Sequence, residues 1–263
     1  MNFIDFFSGI GGFTRGMELA GHQCVGHCEI DKFAEASYRS MHTITEAQRE
    51  YLLTLPKNKR VEEIMKGEYL NGEWYANDIC RVRADDVPTA ECYCFGFPCQ
   101  PFSISGYRRG FEDTRGTLFF EVMRIVKERQ PKMLFAENVA GLLNHSGGAT
   151  FTTIITTMAQ LGYSVEWQVL NSRYFGVPQH RQRVFIVGHL GNGSFTKVFP
   201  FTECCETLNE VSTTGIRGVN VATSQFKRPK PTNISAPLCA RDYKGVRHND
   251  YGTVVMYGNS KSK

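Results

Sequence analysis

Short apolar strands alternating with helix-period segments over the first 190 residues predict an α/β protein built on a doubly wound sheet. Two further observations support that class. A Gly-rich turn directly follows the first strand, and later clusters of chemically capable side chains stand at strand ends, where open α/β sheets bind ligands.

The chain opens with a buried strand, Phe3-Ile4-Asp5-Phe6-Phe7, and the turn Ser8-Gly9-Ile10-Gly11-Gly12. A helix is predicted from Phe13 to Ala20, with Phe13, Met17 and Ala20 on one face and Gly21 closing it. Cys24–Cys28 reads as the next strand and 31–41 as helix. Residues 43–76, interrupted by Pro56, Gly67 and Gly72, read as a polar surface insertion with helical patches such as Val61–Met65. Strands are expected at Cys92–Phe95, Met133–Ala136, Val165–Val169 and Val184–Val187, with helices over 117–129 and 150–161. After residue 190 small and polar residues dominate and no helix period survives, so 191–263 is expected to be loop-rich.

Composition is that of a globular chain: 263 residues, 41% hydrophobic and 21% charged. No run of about 18 apolar residues argues for a membrane span, and Met1-Asn2-Phe3-Ile4-Asp5 lacks the basic start and apolar core of a signal peptide, so a cytoplasmic location is expected. The nine cysteines are expected to be free thiols. Cys24-x3-Cys28 and Cys92-x-Cys94 lack zinc spacing, so no metal is expected. The net charge of +4 is uneven: residues 191–263 hold ten Lys+Arg against five Asp+Glu, leaving 1–190 near −1. A basic final quarter suits a polyanionic partner, or a solvated face.

Four constellations carry the chemistry. Glycines 9, 11 and 12 let the backbone approach a ligand, although they do not spell the dinucleotide fingerprint, and Glu29 ends the second strand where a carboxylate can accept from ribose hydroxyls. A tight turn without ligand is the plainer reading. Cys99 in Gly96-Phe97-Pro98-Cys99-Gln100-Pro101 follows a strand in a Pro-rich loop, which suits a nucleophile better than a packing cysteine. Glu137-Asn138-Val139 again follows a strand, where burial can hold a proton near neutral pH. Arg181 and Arg183 in Gln179-His180-Arg181-Gln182-Arg183 share one side of an extended segment just before a strand.

Taken in order, Asp5–Phe13, Pro98-Cys99-Gln100, Phe102–Gly106 through Gly110–Gly116, Glu137-Asn138-Val139 and Gln179-x-Arg181-x-Arg183 resemble the signature blocks of the cytosine C5 DNA methyltransferases over about residues 1–190. The resemblance implies a Rossmann-like, S-adenosylmethionine-dependent fold, with 1–190 as catalytic and cofactor domain and 191–263 as a partial target-recognition region. It implies methyl transfer to C5 of a cytosine flipped out of duplex DNA. Cys99 would attack C6; Glu137 would stabilise or protonate N3; Arg183 would contact O2 and a nearby phosphate, with Arg181 in support. For the cofactor it implies Phe7 on the adenine face, Glu29 on the ribose, Asp78 on the adenine amino group, Gly9, Gly11 and Gly12 at the methionine part, and Pro98 beside it. Gln100, Ser103, Ser105 and Arg115 would meet DNA on a closing loop, while Arg108 and Arg109 are either phosphate contacts or plain solvated charge.

The resemblance stops short of the family's two closing blocks. Gly258-Asn259-Ser260 has the letters of the last block without a strand-to-helix continuation. A truncated chain, one half of a split enzyme or a degraded copy are the expectations, with a complementing C-terminal chain and a cognate restriction endonuclease as further partners. A non-catalytic DNA-binding protein and a tRNA methyltransferase are the competing readings.

Overall fold

The computed structural model describes residues 1–98, 118–176, 178–191, 196, 198–199 and the strands at 219–224 and 253–258. It divides into two compact units, Met1–Glu137 and Asn138–Lys263.

The first unit is the α/β half. Its parallel strands are β1 (Asn2–Phe6), β2 (Gln23–Cys28), β3 (Trp74–Ala76), β4 (Cys92–Gly96) and β5 (Met133–Val139, the last two residues lying in the second unit). They lie in the order β3-β2-β1-β4-β5. Strand order reverses at β1, which pairs with β2 on one side and β4 on the other; such a switch point opens a crevice at the carboxyl ends of the strands. Phe3, Ile4, Phe6, Cys94 and Phe95 are fully buried, which explains why these strands read as continuous apolar runs.

Helices α1 (Gly12–Leu19), α2 (Lys32–His42) and α5 (Leu118–Arg129) fall where their periodicity predicts them. Asp31 caps α2, accepting from the amides of Phe33 (2.9 Å) and Ala34 (2.8 Å). The 43–76 segment folds into α3 (Glu46–Thr54), α4 (Lys57–Ile64), a short 3-10 turn and β3. It has its own small core, in which Leu52, Ile64 and Tyr69 pack with Ala36 of α2.

The second unit holds α6 (Ala149–Gln160) and the antiparallel strands β6 (Tyr163–Asn171) and β7 (Gln182–Leu190), joined to β8 (Val219–Ser224) and β9 (Thr253–Gly258) in the order β7-β6-β9-β8. β6 and β7 are longer than their apolar centres suggest, because one register runs unbroken from Tyr163 opposite Leu190 to Asn171 opposite Gln182. Arg183 therefore lies inside β7 rather than before it, and Glu137 lies inside β5, opposite Gly96. β8 and β9 were not expected in the loop-rich region; β9 gains its place by pairing with β6, a contact no local period reveals. Beyond β7 the chain is tied back by buried Glu166, which accepts from the amides of Val198 (2.9 Å) and Phe199 (3.3 Å) and meets His189 Nε2 at 2.9 Å.

A chain of buried polar groups runs through the first unit. Asp5 accepts from the Thr14 amide at 3.1 Å and from the Thr14 hydroxyl at 2.9 Å. Thr14 Oγ1 meets the Tyr38 hydroxyl at 3.1 Å, and that hydroxyl donates to Glu73 at 2.9 Å. His27 lies between Glu73 (Nδ1, 2.5 Å) and Glu35 (Nε2, 2.8 Å), and Glu35 pairs with the Arg39 guanidinium. Both His27 nitrogens face acceptors, so the ring carries both protons; burial pulls its pKa down, but Glu35 and Glu73 outweigh that and raise it. With His27 and Arg39 cationic, the charges of Glu35 and Glu73 balance and Asp5 is left over. Burial pushes the Asp5 carboxyl up to about 7, against the lowering effect of the hydrogen bonds that Thr14 donates to it.

Because the folded pKa of Asp5 lies above the unfolded value of 3.8, its contribution to stability is complete below 3.8 and is lost as pH rises through 7. Asp5→Asn replaces the titrating carboxyl with a neutral amide of the same shape. Urea unfolding of parent and variant from pH 4 to 8 is expected to show their difference shifting in the variant's favour, by up to about 4 kcal/mol. A difference that stays constant with pH would contradict the raised carboxyl.

Candidate active site

The parallel register brings the carboxyl ends of five strands to one edge. Phe6 pairs with Cys28 and with Phe95, Cys28 with Ala76, Phe95 with Ala136, and Gly96 with Glu137. Along that edge the order is Asp78, two residues past β3; Glu29, just past β2; Phe7, just past β1; Pro98, two past β4; and Glu137 at β5.

Between β1 and α1 the backbone makes a left-handed turn with positive φ at Phe7 (58°), Gly9 (56°) and Gly11 (90°). For Phe7, which has a Cβ, this conformation costs of order 1 kcal/mol. At Gly11 a Cβ would lie 2.2 Å from His42 Nε2, so only glycine fits. At Gly9 and Gly12 the same position meets nothing within 4 Å among the described residues, which leaves open space facing the turn there. Glu29 is anchored at both oxygens, accepting from the amides of Gly9 (2.8 Å) and Asp31 (2.7 Å), and each oxygen keeps a lone pair for a further donor. Ser8 Oγ is buried with no hydrogen-bond partner among the described residues. Open space, an anchored carboxylate and an orphaned hydroxyl fit a nucleoside-containing ligand.

Asp78 has a structural task as well: it caps the short turn Ile79–Arg81 by accepting from the Cys80 amide at 3.0 Å, with Arg81 at 3.5 Å from its other oxygen. Ile30, 68% exposed beside Glu29, is an apolar side chain at this edge that the motif reading passed over. Its one signal was an isoleucine directly after a strand-end acid.

Phe97, 3% exposed, packs its ring against Phe95 and Phe119 and anchors the approach to exposed Pro98. Glu137 faces Gly96, whose missing Cβ would lie 3.5 Å from Glu137 Oε2 and 3.9 Å from the Phe13 ring. Cys99, Gln100, Ser103, Ser105, Arg108, Arg109 and Arg115 lie outside the described residues. Of the described cysteines, burial together with Glu73 pushes the Cys24 thiol up to about 12, and burial with Glu29 does the same to Cys28. Buried Cys94 is raised as well, so none of these three is an activated thiol.

In the second unit Asn171 and Ser172, at the end of β6, hold the segment before β7. Asn171 Oδ1 accepts from the Arg181 amide at 3.2 Å, and Ser172 Oγ donates to the Gln179 carbonyl at 2.6 Å. Arg181 is exposed; Arg183 is half-buried and donates to the Gln182 carbonyl at 2.8 Å.

The family model of the C-5 cytosine-specific DNA methylases matches residues 1–64 and 68–236. The chain belongs to this family. It is 38% identical over 187 residues to the Type II methyltransferase M.HhaI of Haemophilus parahaemolyticus, covering 71% of this chain and 48% of that protein. To M.NgoBI of Neisseria gonorrhoeae it is 40% identical over 192 residues, covering 73% and 51%. The chain thus spans about half the length of the curated relatives it matches. In fold it is similar to the Dnmt2 methyltransferase of S. pombe (TM-score 0.54, 19% identity, 81% of this chain and 58% of that one). Spodoptera frugiperda DNMT2 is comparable at TM-score 0.51 and 18% identity, covering 80% and 56%. The doubly wound sheet expected from the strand pattern, and the methyltransferase fold that the resemblance implies, are therefore the fold of this methylase-family chain.

The turn of this C-5 methylase chain gives a direct comparison of two neighbouring glycines. Gly11→Ala, with strained φ and a blocked Cβ, is expected to cost about 1–3 kcal/mol in urea unfolding. Gly12→Ala, facing open space, is expected to change stability by less than about 0.5 kcal/mol. Equal effects would mean that the turn is not held as described.

Proposed function

We propose that the chain is the catalytic part of a DNA cytosine C5 methyltransferase, with 1–190 as catalytic and cofactor domain and 191–263 as part of the target-recognition region. Bound S-adenosylmethionine supplies the electrophilic methyl group. Phe7, Glu29, Asp78 and Pro98 hold it, with Gly9, Gly11 and Gly12 giving its methionine part room. Duplex DNA is the substrate, gripped through Gln100, Ser103, Ser105 and Arg115. The target cytosine leaves the stack, since no side chain reaches C6 inside a duplex.

Cytosine C5 is a weak nucleophile. Addition of the Cys99 thiolate to C6 makes C5 electron-rich. Glu137 supplies or shares a proton at N3 as negative charge enters the ring, and Arg183, supported by Arg181, meets O2 and the adjacent phosphate. Once C5 carries the methyl group, its proton leaves to a base and the Cys99–C6 bond breaks, freeing the thiolate. A complementing C-terminal chain and a cognate restriction endonuclease are the further partners we propose; the Type II names of M.HhaI and M.NgoBI support the latter.

One observation carries this reading: residues from motifs spread over 130 positions, Phe7 to Glu137, end on a single sheet edge at a topological switch point. The raised thiols of Cys24, Cys28 and Cys94 add support, because none of them competes with Cys99 as nucleophile.

Titration calorimetry with S-adenosylmethionine is expected to show binding that Glu29→Ala weakens by about 1–3 kcal/mol and that Gly12→Ala weakens without loss of stability. Duplex DNA bearing 5-fluorocytosine, with the donor present, is expected to trap a covalent adduct that Cys99→Ala abolishes. Donor binding indifferent to Glu29→Ala would remove the cofactor assignment. Absence of an adduct, even with a C-terminal fragment of a relative added, would leave a non-catalytic DNA-binding protein. An adduct formed with tRNA but not with duplex would favour the RNA reading.

A further inference from the structure

The turn after β1 is walled by α2. The absent Gly11 Cβ would lie 2.2 Å from His42 Nε2 and 3.1 Å from the Tyr38 ring. His42 Nε2 donates to the Ile10 carbonyl at 3.2 Å, and the Tyr38 hydroxyl meets Thr14, in the first turn of α1, at 3.1 Å. Tyr38 and His42, one helical turn apart, thus secure the Gly-rich segment at Ile10 and Thr14.

α2 is itself held by the segment that follows it. Glu73, from the loop before β3, accepts from Tyr38 at 2.9 Å and from His27 at 2.5 Å. The buried Arg39 guanidinium donates to the carbonyls of Ile64 (3.1 Å) and Lys66 (2.9 Å). A surface appendage needs neither a part-buried carboxylate reaching into its neighbour nor carbonyls that hold a buried guanidinium, and desolvating such groups is costly unless well-matched partners offset it. The turn supplies the reason. Three of the five residues from Phe7 to Gly11 are left-handed, one of them a phenylalanine, and such a course persists only when its surroundings over-determine it.

We propose that the 43–76 segment is a working part of the donor site, and that Glu73, Tyr38 and His42 are positioning residues that hold the Phe7–Gly11 turn in its ligand-binding course. The proposal rests on the reading that this turn binds S-adenosylmethionine. Each acts through the backbone of the turn or through Thr14.

The test is donor affinity, measured by calorimetry with S-adenosylmethionine on the full chain, well below the melting temperature of each variant. Tyr38→Phe, which loses only the bridging hydroxyl, and His42→Phe, which loses the donor to Ile10 together with the 3.5 Å pairing of Nδ1 with Glu18, are each expected to raise the donor Kd about 5- to 20-fold. His42→Gln, which keeps an N–H at that place, should return Kd to within about twofold of the parent. A purely structural role would lower the melting temperature of the Phe variants and leave Kd unchanged, and that result overturns the proposal. Should Tyr38→Phe fail to fold, Thr14→Val against Thr14→Ser decides: affinity lost in Val and kept in Ser supports the relay, and equal affinities overturn it. Glu29→Ala runs alongside. If it too leaves Kd unchanged, the donor site is misplaced; if it weakens binding while Tyr38→Phe and His42→Phe do not, the donor site stands and the positioning role falls.

Discussion

The parallel hydrogen-bond register around β1 is the constraint on which the site depends. Phe6 is matched to Cys28 on one side and Phe95 on the other, so the chain must leave three strands at the same level. Parallel pairing needs a crossover between each pair of strands. Those crossovers carry the residues following each strand across the same edge. A shift of one residue between β1 and β2 would swap the faces of the strand and carry Glu29 away from Gly9, breaking a 2.8 Å contact that links the two strand ends.

The buried polar chain is a second layer of the same design. Apolar side chains could fill the space between α1, α2 and β2 with less desolvation. They would not fix the direction in which Thr14 and Ile10 leave β1, because packing is non-directional and hydrogen bonds are not. Balanced ionic groups, His27 and Arg39 against Glu35 and Glu73, remove most of the cost of burial. Asp5, whose carboxyl burial pushes up to about 7, ends the line by accepting from Thr14.

Much of the fold was legible because parallel strands are buried on both faces, and runs such as Phe3–Phe7 and Cys92–Phe95 announce themselves in composition alone. The position of Glu29 just past β2 followed from those runs, whereas Glu137, expected after its strand, lies inside β5. Three kinds of feature were not legible. The three-residue β3 carries no period, so Asp78 could be placed only through the family resemblance. β8 and β9 owe their pairing to β6. The partners His27, Glu35 and Glu73 are 8 and 46 residues apart in sequence, and a histidine in a strand or a glutamate before a tryptophan carries no sign of its partner. Cys99 and the Ser103–Arg115 loop lie outside the described residues, and their reading still rests on motif and chemistry.

The strain at Phe7 joins these layers. A left-handed phenylalanine directly after a buried strand persists only if releasing it would disturb something costlier. Here release would have to break the Glu29 contact to Gly9, the His42 contact to Ile10 and the Asp5–Thr14 pair, which come from β2, α2 and β1 respectively. No single element imposes the turn, and no single element can relax it alone. A ligand meeting this turn finds its amides and open space already arranged and spends none of its binding energy on ordering them. The stretch after α2, polar and low in apolar period, adds to that order, because it supplies Glu73 and the carbonyls that hold Arg39.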